Sequence, residues 1–542
     1  MAELTIVFRL RFAVALTVAI GLLLVLQAHD ASALDDGPAE YIVQMESGYS
    51  PAQGGQIVVA ELGGQVTTPE LPVINGFGAM LEDDAAEELE SRASVKDVTL
   101  NASTTLGEET VSGGGRCPLA DATTKATTLT PNTLDVSPIY SLPLLRQPLQ
   151  YTVRADRAWL RTSGRGVGVA VVDTGIAGDL PDFYTAGRSR VIASAVTNPC
   201  AKNATDNVGH GTHVAGLIAG NSLNYPGLRK LMGRYMGIAP RANLISVKVS
   251  DDDGDTTVLD VINGLQFVVD HKDELGIRVV NLSLSSSVAE SYKTDPLDAA
   301  VESAWFSGIV VVAAAGNDGD APGAVSYAPG NDPFVITAGA LDDRGSTRLD
   351  DDVLAPWSSR GVTQDGFQKP EVLAPGNRLV APLAPRSDFQ SLCRRCVVGR
   401  NYFRLSGTSM SSAVVSGVAA LVIQANPGMT PNQVKGAILS TRRQVPGVGA
   451  AIDANAALDG TGSANGGLTP NTLIDPATGQ IDWGRASFRR VSFRDAAGSA
   501  FGALWTRASW RCECGFDASG QVDSNRVSFR RVSFRRNVDF DR

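Results

Sequence analysis

The chain has 542 residues, a formal net charge of -10, 19% charged residues, 56 glycines, six cysteines and four histidines. Its length exceeds one ordinary domain, and 43% hydrophobic residues suffice for a sizeable core. Low charge density excludes a disordered, coiled-coil or collagen-like chain, and the acidic balance speaks against nucleic acid or anionic membranes as generic partners.

Residues 1–33 read as an export signal: Arg9 and Arg11 come first, then the apolar run from Phe12 to Leu26, then Ala31-Ser32-Ala33 as a cleavage site. A run of about 15 residues suits a signal core better than a bilayer span of about 20, with an uncleaved anchor as the alternative. No later stretch reads as long and apolar enough to span a membrane. The expected location is therefore secreted, which permits disulfides among Cys117, Cys200, Cys393, Cys396, Cys512 and Cys514. About 15 connectivities are open if all six pair. Cys393-Arg-Arg-Cys396 and Cys512-Glu-Cys514 lack the second pair or nearby histidine that zinc requires, so disulfides or thiols are expected and no metal site.

Residues 34–100 read as a small α+β module. Tyr41-Ile42-Val43 and Gln56 to Ala60 are strand-like, and Asp83 to Arg92 is an acidic, helix-favouring stretch. Residues 101–150, rich in Thr, Ser, Gly and Pro, read as a linker. Residues 151–460 alternate short apolar runs (166–172, 243–249, 277–284, 309–314) with helical stretches (213–219, 258–270, 298–307). That alternation predicts an α/β fold with a mostly parallel central sheet covered on both faces. Residues 461–542 form an Arg-rich extension: from 485 onward 12 Arg and no Lys face six acidic residues, in units such as Arg490-Val-Ser-Phe-Arg494 and Arg531-Val-Ser-Phe-Arg535. This basic tail suits a strand, a contact with the α/β body or attachment to an acidic cell surface.

Three segments of the alternating region carry reactive groups. Val169-Ala-Val-Val-Asp173-Thr-Gly175 is an apolar strand ending in a carboxylate. Gly209-His210-Gly-Thr-His213 opens an apolar helix, and Ser406-Gly-Thr-Ser409-Met precedes another, where the dipole and free N–H groups favour negative charge. Singly, each has a bland reading as a turn or cap. Together they supply what nucleophilic catalysis requires: a hydroxyl, an imidazole to take its proton, and a carboxylate to hold that imidazole.

The order Asp, His, Ser and the sequence Gly-Thr-Ser-Met differ from the Gly-x-Ser-x-Gly elbow of α/β-hydrolases. In these motifs residues 155–458 resemble the subtilisin-like serine proteases, the subtilases. The resemblance implies a subtilisin-like three-layer fold and a serine-type endopeptidase forming an acyl-enzyme on Ser409, with His210 as base and Asp173 as its partner. It implies that Asn317, in Val311-Val-Ala-Ala-Ala-Gly-Asn317, donates to the oxyanion. His213 matches a second, non-catalytic histidine, while His271 falls outside every motif. Ser283-Leu284-Ser285 resembles the edge segment that pairs with extended substrate, Asp253-Gly254-Asp255 resembles the strand on the other side, and Ala314, Ala315 and Gly316 line the same cleft. Tyr41-Ile-Val and Ile74-Asn-Gly-Phe-Gly-Ala-Met-Leu81 resemble the subtilase propeptide, which implies an intramolecular inhibitor released by self-cleavage between about residues 100 and 150.

The expected partners are protein or peptide substrates and the chain's own propeptide; no cofactor is expected. Residues 221–236 offer too few carboxylates to transfer the calcium site often found in the family. Ala413-Val414 stands where the family usually has Pro-His, and residues 393–401 read as an insertion forming either a disulfide-braced rim or a plain surface loop. Asp251 to Asp255 would favour basic substrate side chains or simply form a solvated turn. A binding protein on an inactive scaffold and a peptide ligase are the alternatives from other classes.

Overall fold

The computed structural model describes residues 38–474 except 47, 102–103, 107–108, 111–144, 223–232 and 473. The expected signal, most of the linker and the Arg-rich extension lie outside the described residues.

The first module is a four-stranded antiparallel sheet of β1 (Ala39–Met45), β2 (Gln65–Leu71), β3 (Gly76–Leu81) and β4 (Val95–Leu100), in the order β2-β3-β1-β4. Two helices accompany it, α1 (Pro51–Ala60) and α2 (Asp83–Glu90). The strand expected over 56–60 is thus the end of α1. Ser50 and Gln53 form a reciprocal capping box and Pro51 opens the first turn, local signals that outweigh a short apolar run compatible with either period.

Alternation along β1 sends Val43 and Met45 to the module's own core with Val58, Phe77 and Leu89, while Ile42 faces the larger body. Leu71, Val73 and Ile74 join that larger core too. A Cβ on Gly78 would lie 2.4 Å from a Leu259 methyl, so glycine is what lets β3 approach the body this closely.

The body is built on β7 (Gly168–Asp173), β8 (Val191–Val196), β9 (Asn243–Lys248), β10 (Ile277–Leu282), β12 (Val310–Ala314), β13 (Ile336–Asp342) and β14 (Val372–Pro375). With the late hairpin β18 (Arg443–Val445) and β19 (Gly449–Ala451), the order is β8-β9-β7-β10-β12-β13-β14-β19-β18, parallel except for β18 against β19. Strands fully buried on both faces, such as β7 and β12, read as unbroken Val/Ala runs because helices cover each face.

The principal helices are α3 (His210–Ala219), α4 (Val258–Asp270), α5 (Pro296–Phe306), α6 (Thr408–Ala425) and α7 (Pro431–Ser440). Helix α6 corrects one expectation: its 18 residues, mean hydropathy 1.5, are long and apolar enough to cross a membrane. The same window is 89% buried inside the protein, packed on β10, β12 and β13, so its all-round hydrophobicity is that of a central core helix.

Beside the main sheet, the short strand β11 (Leu284–Ser286) pairs antiparallel with β5 (Thr104–Leu106), which in turn pairs with β6 (Glu109–Thr110). A further small sheet contains β15 (Leu379–Pro382), β16 (Val397–Val398) and β17 (Tyr402–Leu405).

Candidate active site

Asp173 is the last residue of β7, which lies between β9 and β10, where open parallel sheets gather ligands at their carboxyl ends. Its side chain is wholly buried, and Oδ1 accepts from the Thr174 amide at 2.8 Å. The same oxygen lies 2.7 Å from Nδ1 of His210, the first residue of α3. A carboxylate acceptor assigns the hydrogen to Nδ1 and leaves the lone pair on Nε2, the tautomer a general base needs. Among the described residues Nε2 has no hydrogen-bond partner.

Burial disfavours the imidazolium, but the Asp173 charge and hydrogen bond, aided by the Asp206 charge, raise the His210 pKa above its ordinary value. His213, one turn further along α3, behaves oppositely. Burial first, then the charge of His210, pushes it down to about 3. Its Nε2 donates to the carbonyls of Leu379 (3.3 Å) and Phe403 (3.1 Å), tying α3 to the paired strands β15 and β17. His271 caps the end of α4, stacked on Phe267 at 4.2 Å and away from these groups.

Ser409 is the second residue of α6, 3% exposed, with Oγ 3.4 Å from the Ser283 carbonyl. The helix is regular through Ala413 and Val414. A buried network anchors its first turns: Ser283 Oγ donates to the Ser409 carbonyl (3.0 Å) and lies 2.9 Å from Ser412 Oγ. Asn281 Nδ2 donates to Ser283 Oγ, and Asn281 Oδ1 accepts from Ser416.

Asn317 follows β12 directly after Gly316, whose φ of +96° is a left-handed conformation suited to glycine. Its Oδ1 accepts from the Thr408 amide (2.9 Å) and hydroxyl (3.1 Å), which orients the carboxamide and leaves Nδ2 without a protein acceptor among the described residues. The Thr408 hydroxyl also accepts from the Gly316 amide at 3.1 Å, while Ala315 is held by Ala338. Ala314 ends β12, so Ala314, Ala315 and Gly316 form one wall running to Asn317.

Ser283 and Leu284 are buried and Ser285 is partly exposed. The register sets Leu284 opposite Leu106, Ser285 opposite Thr105 and Ser286 opposite Thr104, so the edge expected to pair with substrate pairs with the chain's own segment. Asp253-Gly254-Asp255 differs from expectation. These residues form a turn in which Asp251 Oδ1 accepts from the amides of Asp253 and Asp255, with Gly254 at φ +97°, because a local Asp-to-backbone bond competes with strand pairing.

Sequence reasoning missed Asp206. Wholly buried, it accepts from Gly209 N (2.7 Å), Thr212 N (2.8 Å) and Thr174 Oγ1 (2.9 Å), locking the start of α3 to the end of β7. The signal was present as an acidic residue four positions before His210. Thr408 and the Asn281 network left no comparable trace, since serine and threonine near a helix start are common as caps. No group of three or more His, Cys, Asp or Glu able to hold a metal ion occurs among the described residues.

A buried carboxylate–imidazole pair, a serine at a helix start and a fixed carboxamide at the ends of parallel strands make the layout of a serine hydrolase, able to generate an alkoxide equivalent and stabilise an oxyanion. The model of the subtilase family matches residues 164–464, and the chain belongs to that family. It is 41% identical over 280 residues to the serine protease AprX of Bacillus subtilis (strain 168), covering 50% of this chain and 60% of that protein. With subtilisin DY of Bacillus licheniformis it shares 31% identity over 305 residues, covering 56% of this chain and 90% of the relative. The crystal structure of fervidolysin from Fervidobacterium pennivorans, a keratinolytic enzyme related to subtilisin, shares the fold. Its TM-score is 0.57 at 24% identity, covering 81% of this chain and 64% of that one. Residues 38–101 precede the span matched by the family model.

Proposed function

We propose that the chain is a secreted serine endopeptidase made as a precursor, with Ser409 as nucleophile, His210 as general base and acid, and Asp173 as the carboxylate that orients and stabilises the imidazolium. The observation that carries this reading is the buried 2.7 Å contact between Asp173 and His210 Nδ1, in a domain whose α6 carries Ser409 as its second residue. Ser409 Oγ attacks the substrate carbonyl carbon as its proton passes to His210 Nε2. Negative charge develops on the carbonyl oxygen and is met by Asn317 Nδ2 and the Ser409 amide. The tetrahedral intermediate collapses, His210 gives its proton to the leaving amine, and water repeats the sequence on the acyl-enzyme. Extended substrate adds as a strand to Ser283, Leu284 and Ser285, with Ala314 to Gly316 and Gly254 lining the remaining cleft.

Residues 34–100 act as an inhibitory propeptide, within a chain divided into a signal (1–33), this module, a linker (101–150), the catalytic domain (151–460) and the basic extension (461–542). Two contacts support this: Asn101 Oδ1 accepts the Leu259 amide at the start of α4, and Gln266 Oε1 on α4 accepts the Val73 amide. The pairing of residues 104–106 with 284–286 supports a substrate-like fit, so self-cleavage is expected at or directly after Leu106 to Glu108. The test is Ser409→Ala. The variant should remain a full-length precursor and leave casein intact, whereas wild-type protein should yield a new N-terminus near 107–109. Maturation and casein digestion at the wild-type rate by the variant would end this assignment.

A further inference from the structure

Between β15 and β17 the chain makes an excursion over residues 384–398, closed on itself by a disulfide between Cys393 and Cys396. The excursion lies against the segment that carries His210. The amides of Asp388 and Phe389 donate to the carbonyls of Asn207 (2.9 Å) and Val208 (3.2 Å), directly before Gly209. Gly209, at φ +109°, is the N-cap of α3, and a Cβ there would meet Ser387 Oγ at 2.9 Å and the Phe389 ring at 3.1 Å. Asp206 takes the Gly209 amide at 2.7 Å. Residues 207–209 are therefore held by the excursion and by Asp206 together, and His210 follows.

The excursion is held by a small apolar cluster. Cys393 and Cys396 are buried with Leu383 and Phe403, and Phe389 stacks on Phe403 with ring centroids 5.0 Å apart. The bridge spans a sequence separation of 3. A ring this short restricts the unfolded chain far less than a long one, so its main consequence is local geometry.

We propose that this disulfide-closed excursion is a positioning device for His210, with Phe389 as the residue that transmits the order of the bridge to the base. The inference rests on reading His210 as the general base. Without the bridge, the excursion relaxes, the two hydrogen bonds to 207 and 208 lengthen, and the imidazole loses its register with Asp173. A displacement of about 1 Å at a catalytic group costs on the order of 10²-fold in rate.

The test expresses the whole chain and assays the matured protein, comparing wild type with Cys393→Ala/Cys396→Ala, Phe389→Ala and Phe389→Leu. We expect kcat to fall about 10- to 100-fold for the double variant and for Phe389→Ala, with KM changed less than about 3-fold. Phe389→Leu, which still fills the cluster, should recover most of the loss. The acid limb of kcat/KM should move to lower pH in the impaired variants, because a loosened Asp173 contact supports the imidazolium less. Wild-type kcat and an unmoved acid limb in the bridge-free protein would overturn the proposal, as would losses that match only the unfolded fraction in a denaturant titration. Either result, alongside an inactive Ser409→Ala, leaves the assignment of the catalytic residues standing; full activity of Ser409→Ala would remove that assignment instead.

Discussion

Replacing Asp173 by Asn removes one charge and almost no volume from the centre of the site. Asp173 is 0% and His210 3% exposed, with 2.7 Å between Oδ1 and Nδ1. Taking the charge centres as roughly 4 Å apart and an effective dielectric of about 20, the lost attraction to the imidazolium is about 4 kcal/mol, or ~10³-fold in rate. Orientation adds to this. The Thr174 amide donates to the oxygen that also meets Nδ1, so an amide side chain either keeps its carbonyl oxygen there as a weaker, neutral acceptor or turns its NH₂ to the ring at the expense of the Thr174 contact and forces the proton onto Nε2, where it blocks the base. The combined loss should reach about 10³ to 10⁴-fold in kcat/KM. The sign of the pH effect follows from the causes of the shift. Burial lowers the His210 pKa, Asp173 raises it and only Asp206 remains to oppose burial, so the acid limb should move to lower pH. The assay is chromogenic-peptide hydrolysis from pH 5 to 10, normalised by fluorophosphonate titration of active sites and accompanied by thermal unfolding. A loss below 10-fold with an unmoved acid limb would refute the reasoning.

Asn317→Leu should lower kcat by about 10² to 10³ while KM changes little, a magnitude known from a subtilisin rather than worked out for this chain; an equal rise in KM would point to ground-state binding instead. Gly211→Ala would put a Cβ 2.2 Å from the Gly175 carbonyl and 3.1 Å from Asp173 Oδ1, so it should displace the start of α3 and cut kcat at least about 10-fold, checked by steady-state kinetics. Asp298 is wholly buried with neither oxygen partnered among the described residues, beside Asp295, Asp332, Glu302 and Glu290. Burial pushes Asp295 up to about 6, Asp332 to about 7 against the opposing charge of Lys369, and Glu290 to about 8 with the charge of Asp295 adding to burial. Carboxyls raised on folding bind more protons in the folded state. Their cost is therefore absent below the unfolded value of about 4, grows as pH rises, and is complete above the folded values. The melting temperature should fall between pH 5 and 8.5, and Asp298→Asn should reduce that fall; an unchanged difference by calorimetry would contradict it.

Sequence by itself determined the family and the alternation of strands and helices, and it nominated the candidate site. Asp173, His210, Ser409 and Asn317 each sit in short stretches where glycine, a strand end or a helix start must occur within a few residues, so local pattern was enough to single them out. It also pointed to a small α+β module ahead of the α/β body, though not to the helix Pro51–Ala60, because a five-residue apolar run does not distinguish the two periods. Tertiary structure alone decided what depends on distant partners. Asp206 became a brace for α3 because β7 returns Thr174 to it, Ser387 and Phe389 of the disulfide-closed excursion acquired a neighbour in Gly209, and residues 104–106 found 284–286 across nearly 180 positions of chain. Periodicity reports which face of an element is buried, but not which distant element covers it; that is settled by packing and by hydrogen bonds whose partners are far apart in sequence.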